Sequence, residues 1–264
     1  MKILYIIAAF LGAFSFIAKA SAGAELAPGT YRAASVKGSA QWFNPTTSET
    51  LPLVNDQELV EGAVITTGEG GGLTLVFASG ATASIGEKSE VTVSKFEQQT
   101  FDAASVNYRK GEPSVSATEI KLTKGNITSR VSKLKAESTY VIKTPIGAAG
   151  VRGTTFRVLF DPQTKSLKIE TAEGNVVLVT TANVEVPIEG GKDVEIKFEV
   201  NEKGEVEVGE SVTGNLSEAA IAEIISTAQE AIEALPQTGN TNPVEQTELI
   251  QQQETQIITS DTNP

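Results

Sequence analysis

The stretch Gly71–Val93, GGLTLVFASGATASIGEKSEVTV, decides the fold class. Apolar Leu73, Leu75 and Phe77 alternate with Thr74 and Ala78, and Val76 is the one interruption. A period of two places successive side chains on opposite faces, which marks a strand with one buried face. Ser79-Gly80 supplies a turn, Ala81 to Ile85 return, Gly86 to Ser89 turn again, and Val91 and Val93 resume the alternation. Short strands arriving every 8–12 residues or so, separated by glycine-bearing turns, predict an all-β architecture.

The same rhythm extends outward on both sides, giving an all-β region over residues 31–211. It is antiparallel-rich, and either a sandwich or a short β-solenoid-like stack satisfies the pattern. Two echoes, around Gly125-Asn126 and Gly174-Asn175, read as two-residue hairpin turns, since both residue types tolerate positive φ. Residues 97–113 alternate weakly and read as a longer connection or a peripheral hairpin. Between Asn183 and Glu210 apolar and acidic residues alternate, which predicts exposed antiparallel strands with a charged face.

The period then changes. Ile221, Ile224, Ile225, Ala228, Ile232 and Leu235 form one apolar stripe, which predicts an amphipathic helix over 216–235. Ser217 is its N-cap, Glu218 sits at the positive end of the dipole, and Pro236 stops it. The stripe has two destinations: the protein's own sheet, or another chain through self-association at Ile221, Ile224, Ile225 and Ile232. Residues 236–264 are polar and rich in Gln and Thr, which predicts disorder.

The N-terminus reads as an export signal over residues 1–22. Met1-Lys2 is a basic end, an apolar run of about 15 residues follows, and Ala18-Lys19-Ala20 and Ala20-Ser21-Ala22 are small-residue cleavage sites. The run is shorter than the ~20 residues a membrane span needs. The expected location is therefore periplasmic or extracellular, with no lasting membrane span.

Composition excludes several kinds of chemistry. The 264-residue chain has a net charge of −12, which argues against a nucleic-acid partner and an anionic membrane surface. It has no Cys and no His, so disulfides, thiolate metal sites, zinc hydrolase motifs and Ser-His-Asp triads are ruled out. No catalytic residue, cofactor site or metal site is expected. Ser132-Lys-Leu-Lys135 matches S-x-x-K, but the accompanying elements of penicillin-binding enzymes are missing. Asp193 and Glu195 lie at strand spacing on one face, whereas carboxylate hydrolysis needs two acids across a cleft. Trp42 reads as core rather than, with Phe43, a sugar platform.

The chain's most distinctive element is Thr144–Phe156, TPIGAAGVRGTTF. Its glycine spacing is not that of a dinucleotide loop or a P-loop, and a strand, Thr154 to Phe160, follows where those motifs require a helix. Without a helix N-terminus the phosphate-cradle reading fails. The element reads as a structural turn: Thr144-Pro145 fixes an extended entry, and Gly147, Gly150 and Gly153 allow unusual backbone angles and close approach. Arg152 is expected to pair with a nearby acid or carbonyl.

In order, Leu59-x-x-Gly62 to Thr66-Thr-Gly68, Leu73 to Gly80, Val91-Thr-Val93, and Thr144-Pro-x-Gly147 with Val151-Arg152-Gly153-Thr154-x-Phe156-x-Val158 resemble the FecR domain family. The blocks run from about residue 36 to 179, with 97–119 an apparent insertion and Ser79 standing where the family usually has an acid. The resemblance implies an all-β, non-enzymatic interaction or signalling module of the bacterial cell envelope, with an envelope protein as partner. Regulatory members join this domain to a cytoplasmic segment that controls a sigma factor. Only an export signal is read before the β region here, so that control is not expected to transfer. A structural or adhesive protein binding carbohydrate or matrix is the alternative reading, and a carboxylate hydrolase a third.

Overall fold

The computed structural model describes residues 25–102, 106–108, 111–202 and 206–235. The expected signal segment, 1–22, and the expected disordered tail, 236–264, lie outside the described residues. Two sheets account for the strands, numbered along the chain. The first runs, edge to edge, β4 (Glu49–Pro52), β3 (Ala40–Asn44), β6 (Val64–Thr67), β9 (Glu90–Gln98), β10 (Ser116–Val131), β11 (Thr139–Thr144), β12 (Gly147–Val151), β15 (Asn175–Thr180) and β16 (Glu185–Glu189). The second runs β5 (Glu58–Leu59), β2 (Tyr31–Lys37), β7 (Gly72–Phe77), β8 (Thr82–Ile85), β10 again, β13 (Thr154–Asp161), β14 (Ser166–Glu173), β17 (Lys192–Val200) and β18 (Val206–Asn215). A short β1 (Ala27–Pro28) pairs with the end of β9. Pairing is antiparallel except between β10 and β11.

Both sheets grow nearly in sequence order, because the chain lays a hairpin in one layer and then crosses to the other. Hairpins β11–β12, β13–β14, β15–β16 and β17–β18 alternate between the sheets. The fold is thus a two-layer sandwich wound progressively around its core, which joins the two architectures the sequence left open. Inward residues of both layers form one apolar cluster, including Ile65, Leu75, Ile120, Ile127, Ile142, Phe156, Val158 and Ile169. At its centre the hydroxyls of Tyr140 and Ser129 lie 3.0 Å apart, linking β11 of one layer to β10 in the other. Burial pushes the Tyr140 phenol well above its usual range.

β10 is the strand common to both sheets. Its first half buries Ile120 and Leu122, at even positions, and its second half buries Ile127, Ser129 and Val131, at odd ones. Because side chains alternate, a strand that changes layers must slip by one residue to keep facing the core. The slip is a bulge between Leu122 and Lys124, followed by Gly125 at φ +93°. Gly125-Asn126 is therefore a strand kink, correcting the hairpin expectation. A Cβ on Gly125 would lie 2.1 Å from Ser89 Oγ, an atom that accepts the Asn126 N–H at 3.1 Å. Gly174-Asn175 is likewise no hairpin: Gly174, at φ +80°, carries the chain from β14 in one layer to β15 in the other.

Two further expectations change. β9 runs on through Gln98, so only residues after it form the connection to β10. β17 buries Val194, Ile196 and Phe198, leaving β18 as the exposed acidic strand of that hairpin.

Helix α1 (Glu218–Glu233) is capped as read, with Ser217 Oγ accepting the Ala220 N–H at 3.2 Å. It lies on the outer face of the second sheet, over β8, β10, β13 and β14. Ile224, Ala228, Ala231 and Leu235 are buried, while Ile221, Ile225 and Ile232 are half-buried. Self-association through Ile224 is thereby corrected, because that side chain is fully covered by its own protein. The seat is a lateral row of cross-strand neighbours: Thr74, Ser84, Thr128, Arg157 and Glu170. Small hydroxyl residues let the helix approach, and charge anchors it. Arg157 donates to Glu170 at 2.6 Å and to Glu223 of the helix at 2.7 Å. At the other end, Arg32 Nη2 donates to the Ala234 carbonyl at 2.7 Å, a cation at the negative pole of the dipole.

Burial alone would raise the Glu170 carboxyl, but hydrogen bonds from Lys168 and Arg157 outweigh it and hold the group below its ordinary value of 4.5. A carboxylate depressed on folding stabilises the protein fully above its unfolded pKa, and that stability is lost as pH falls through the folded value. Glu170→Gln is expected to cost about 1–3 kcal/mol at neutral pH and to flatten the fall in Tm below pH 4.5. Thermal melts of both proteins across acid pH check this; parallel pH profiles would contradict it.

Candidate functional site at the Thr144–Phe156 turn

The two-residue connection Pro145-Ile146 joins β11 to β12. Thr144 Oγ1 donates to the Gly147 carbonyl at 3.1 Å, and Ile146 turns into the core, fully buried. Gly147 and Gly150 lie inside β12, paired with β15, and do not hold unusual backbone angles, contrary to the sequence reading. Gly147 is needed for close approach, since a Cβ there would sit 2.9 Å from the Val179 carbonyl oxygen. At Gly150 the nearest atom to an added Cβ is 4.0 Å away, so no backbone reason demands glycine.

The special position is Gly153, at φ +137°, where the chain leaves β12 and enters β13 in the other layer. An added Cβ would lie 3.2 Å from Lys133 Cα. The return crossing at Gly174 abuts it: a Cβ on Gly174 would meet the Gly153 carbonyl oxygen at 2.5 Å. Thr154 Oγ1 donates to the Asn175 carbonyl at 2.9 Å, and Phe156 fills the core. Two layer crossings are thus packed back to back.

Arg152 binds the loop 132–138 to this corner in both directions. Its carbonyl accepts the Leu134 N–H at 3.3 Å, and its Nη2 donates to the carbonyls of Lys135 at 2.8 Å and Ala136 at 2.6 Å. Buried Glu112 completes the tie, accepting the Lys135 N–H at 2.5 Å and the Ser116 hydroxyl at 2.9 Å. Ser132 Oγ donates to the Tyr108 carbonyl at 3.1 Å, so its hydroxyl has a structural partner outside the S-x-x-K pair.

Beside the corner opens a polar cleft of about 340 Å³, lined by Arg130, Lys133, Arg152, Thr155 and Glu173. Arg130, Lys133, Glu112 and Glu173 were not singled out from sequence. Arg130 becomes visible as an outward residue only once the bulge in β10 has set the parity of the strand.

The other candidates do not assemble. Trp42 is 4% exposed and its neighbour Phe43 38%, on opposite faces of β3, so they form no joint platform. Asp193 pairs with Lys168 at 3.3 Å and Glu195 with Lys197 at 2.5 Å. Among the described residues no three acids come together to hold a metal ion, and no helix is long and apolar enough to cross a membrane.

These features define a two-layer β module whose most distinctive sequence element is a layer-crossing corner. Residues 63–177, from the edge of β6 into β15, match the family model described as FecR protein. Strands β2 to β5 lie before the matched segment, although the motif blocks of the sequence run from about residue 36. The chain is also similar to two crystal structures of a candidate anti-sigma factor from Parabacteroides distasonis ATCC 8503, at 2.50 and 1.65 Å resolution. Identity is 10% in both, with TM-scores of 0.44 and 0.43. Each match covers 61% of this chain, which spans 63% and 64% of those solved chains, less than two thirds of their length. No curated protein matches the chain.

Gly153→Val is expected to destabilise the fold by about 1–3 kcal/mol, since a branched side chain is strained at this φ. Gly150→Val, with room and ordinary strand geometry, is expected to fall within about 0.5 kcal/mol of wild type. Denaturant melts of the two variants decide it: equal losses would mean that Gly153 holds no special conformation.

Proposed function

We propose that this protein is a non-catalytic interaction and signalling module of the bacterial cell envelope, exported by its N-terminal segment to the periplasm or beyond. The observation that carries the reading is the engagement of the family-specific element in architecture. Thr144, Arg152 and Thr154 all bond to backbone carbonyls. Side chains committed in this way position a surface rather than perform a reaction. An all-β scaffold with rigid corners presents loops in fixed geometry, which suits recognition of another protein. The family match supports an envelope role, and the partner is an envelope protein. The carbohydrate or matrix alternative gains no support from Trp42, which lies in the core.

Expression of the full chain with cell fractionation tests this. The soluble envelope or secreted fraction should hold a protein whose intact mass begins at Ser21 or Gly23, and zero-length cross-linking there should yield one discrete, saturable adduct with another envelope protein. A chain retaining Met1 in the cytoplasm would overturn the export reading. Absence of any saturable adduct would overturn the interaction reading.

A further inference from the structure

We propose that the cleft beside the Gly153 corner docks an acidic peptide segment of the partner protein, an inference that rests on the interaction-module reading above. The chain carries a net charge of −12, yet this cleft gathers three cations, Arg130, Lys133 and Arg152, against one acid, Glu173. Local charge opposite to the charge of the whole requires a local explanation. Glu173 accepts the Thr155 hydroxyl at 3.2 Å, so hydrogen bonding draws its carboxylate toward the sheet. Among the described residues the side chains of Arg130 and Lys133 make no hydrogen bond or ion pair, unlike Arg32 and Arg157, which are both neutralised within the fold.

The cations are also held ready. Arg130 is half-buried on β10 between Thr82 and Thr155 of the neighbouring strands. Lys133 rides on the loop that Arg152 and Glu112 fasten from two sides. A guanidinium offers a planar fork that fits a carboxylate, and a preorganised donor loses little freedom on binding. An extended ligand is favoured over a small free anion because the cleft continues. Gly111 lines both it and a second cleft of about 480 Å³ bordered by Phe101, Val106 and Pro113 together with the acids Asp102 and Glu112, so the ligand's carboxylates are confined to the first cleft. A peptide lying across Gly111 would set carboxylates against the cations and apolar side chains in the second cleft. Acidic segments read by clustered basic side chains are a recurrent recognition mode.

Titration calorimetry of the mature protein with hexaglutamate tests the proposal, with hexaglutamine and inorganic phosphate as comparators at low and high salt. Hexaglutamate should bind, weaken as salt rises, and lose at least tenfold in affinity in Arg130→Gln/Lys133→Gln, while hexaglutamine does not bind. Lys133→Gln alone, at an exposed position, should weaken binding severalfold with an unchanged melt, whereas Lys121→Gln, the same charge change on the other sheet, should not. The proposal is overturned if wild type does not bind hexaglutamate, if the Lys133 and Lys121 variants behave alike, or if phosphate binds and hexaglutamate does not. If the double variant still forms the cross-linked adduct with full yield, the cleft assignment fails and the module reading stands. If wild type binds hexaglutamate but forms no adduct, the module reading fails instead.

Discussion

Everything in this fold depends on β10 serving two sheets. A strand can face one core with one parity only, and the chain meets that constraint with a bulge at Leu122–Lys124 and Gly125 in a positive-φ conformation. The kink lets Ile120 and Leu122 close one layer and Ile127 and Val131 the other, so a single cluster fills the space between them. Hairpins then add alternately to each layer, mostly against strands nearby in sequence. Layer crossings become the places where backbone geometry is most demanding. Ser89 with Gly125, and Gly153 with Gly174, are pairs in which one backbone passes another too closely for a side chain.

That same demand links architecture to function. The corner at Arg152-Gly153 has to be tied down, and the ties reach the loop 132–138 and, through Glu112, the end of the connection before β10. A cleft whose walls are two strands and a fastened loop keeps its shape without a ligand. Farther along the same outer face of the second sheet, α1 covers a row of hydroxyl residues and locks to Arg157 and Arg32. The helix therefore belongs to the module's own stability, which leaves the corners and loops for the recognition proposed above.

Much of this was legible in the sequence. The strand through Leu73 to Phe77, the turn at Ser79-Gly80 and the Ser217 cap each rest on local chemistry, and the structure forms them locally, although that strand is buried on both faces, with Val76 clustered with Tyr108 and Leu235. The Gly-Asn pairs read as hairpin turns in sequence because positive φ followed by Asn suits a hairpin and a layer crossing equally. Which of the two occurs is decided by Ser89 and by Gly153, residues distant in sequence. Gly150 looks like a special position for the same reason, since spacing alone cannot separate an in-strand glycine from a corner glycine. The stripe of α1 was visible but its seat was not, because Thr74, Ser84, Thr128 and Arg157 come from four strands. The cleft was invisible in sequence: Arg130 and Arg152 meet only through the crossing that separates them in the chain.

The central claim is that β10 welds the two layers into one cooperative unit. Native-state hydrogen exchange measures this directly, because amides that open only by global unfolding share one free energy. Amides of Ile120 and Leu122 in one layer should exchange with the same, slowest free energy as those of Ile127 and Ser129 in the other. Exchange of either half through a separate, lower-energy opening would contradict the account.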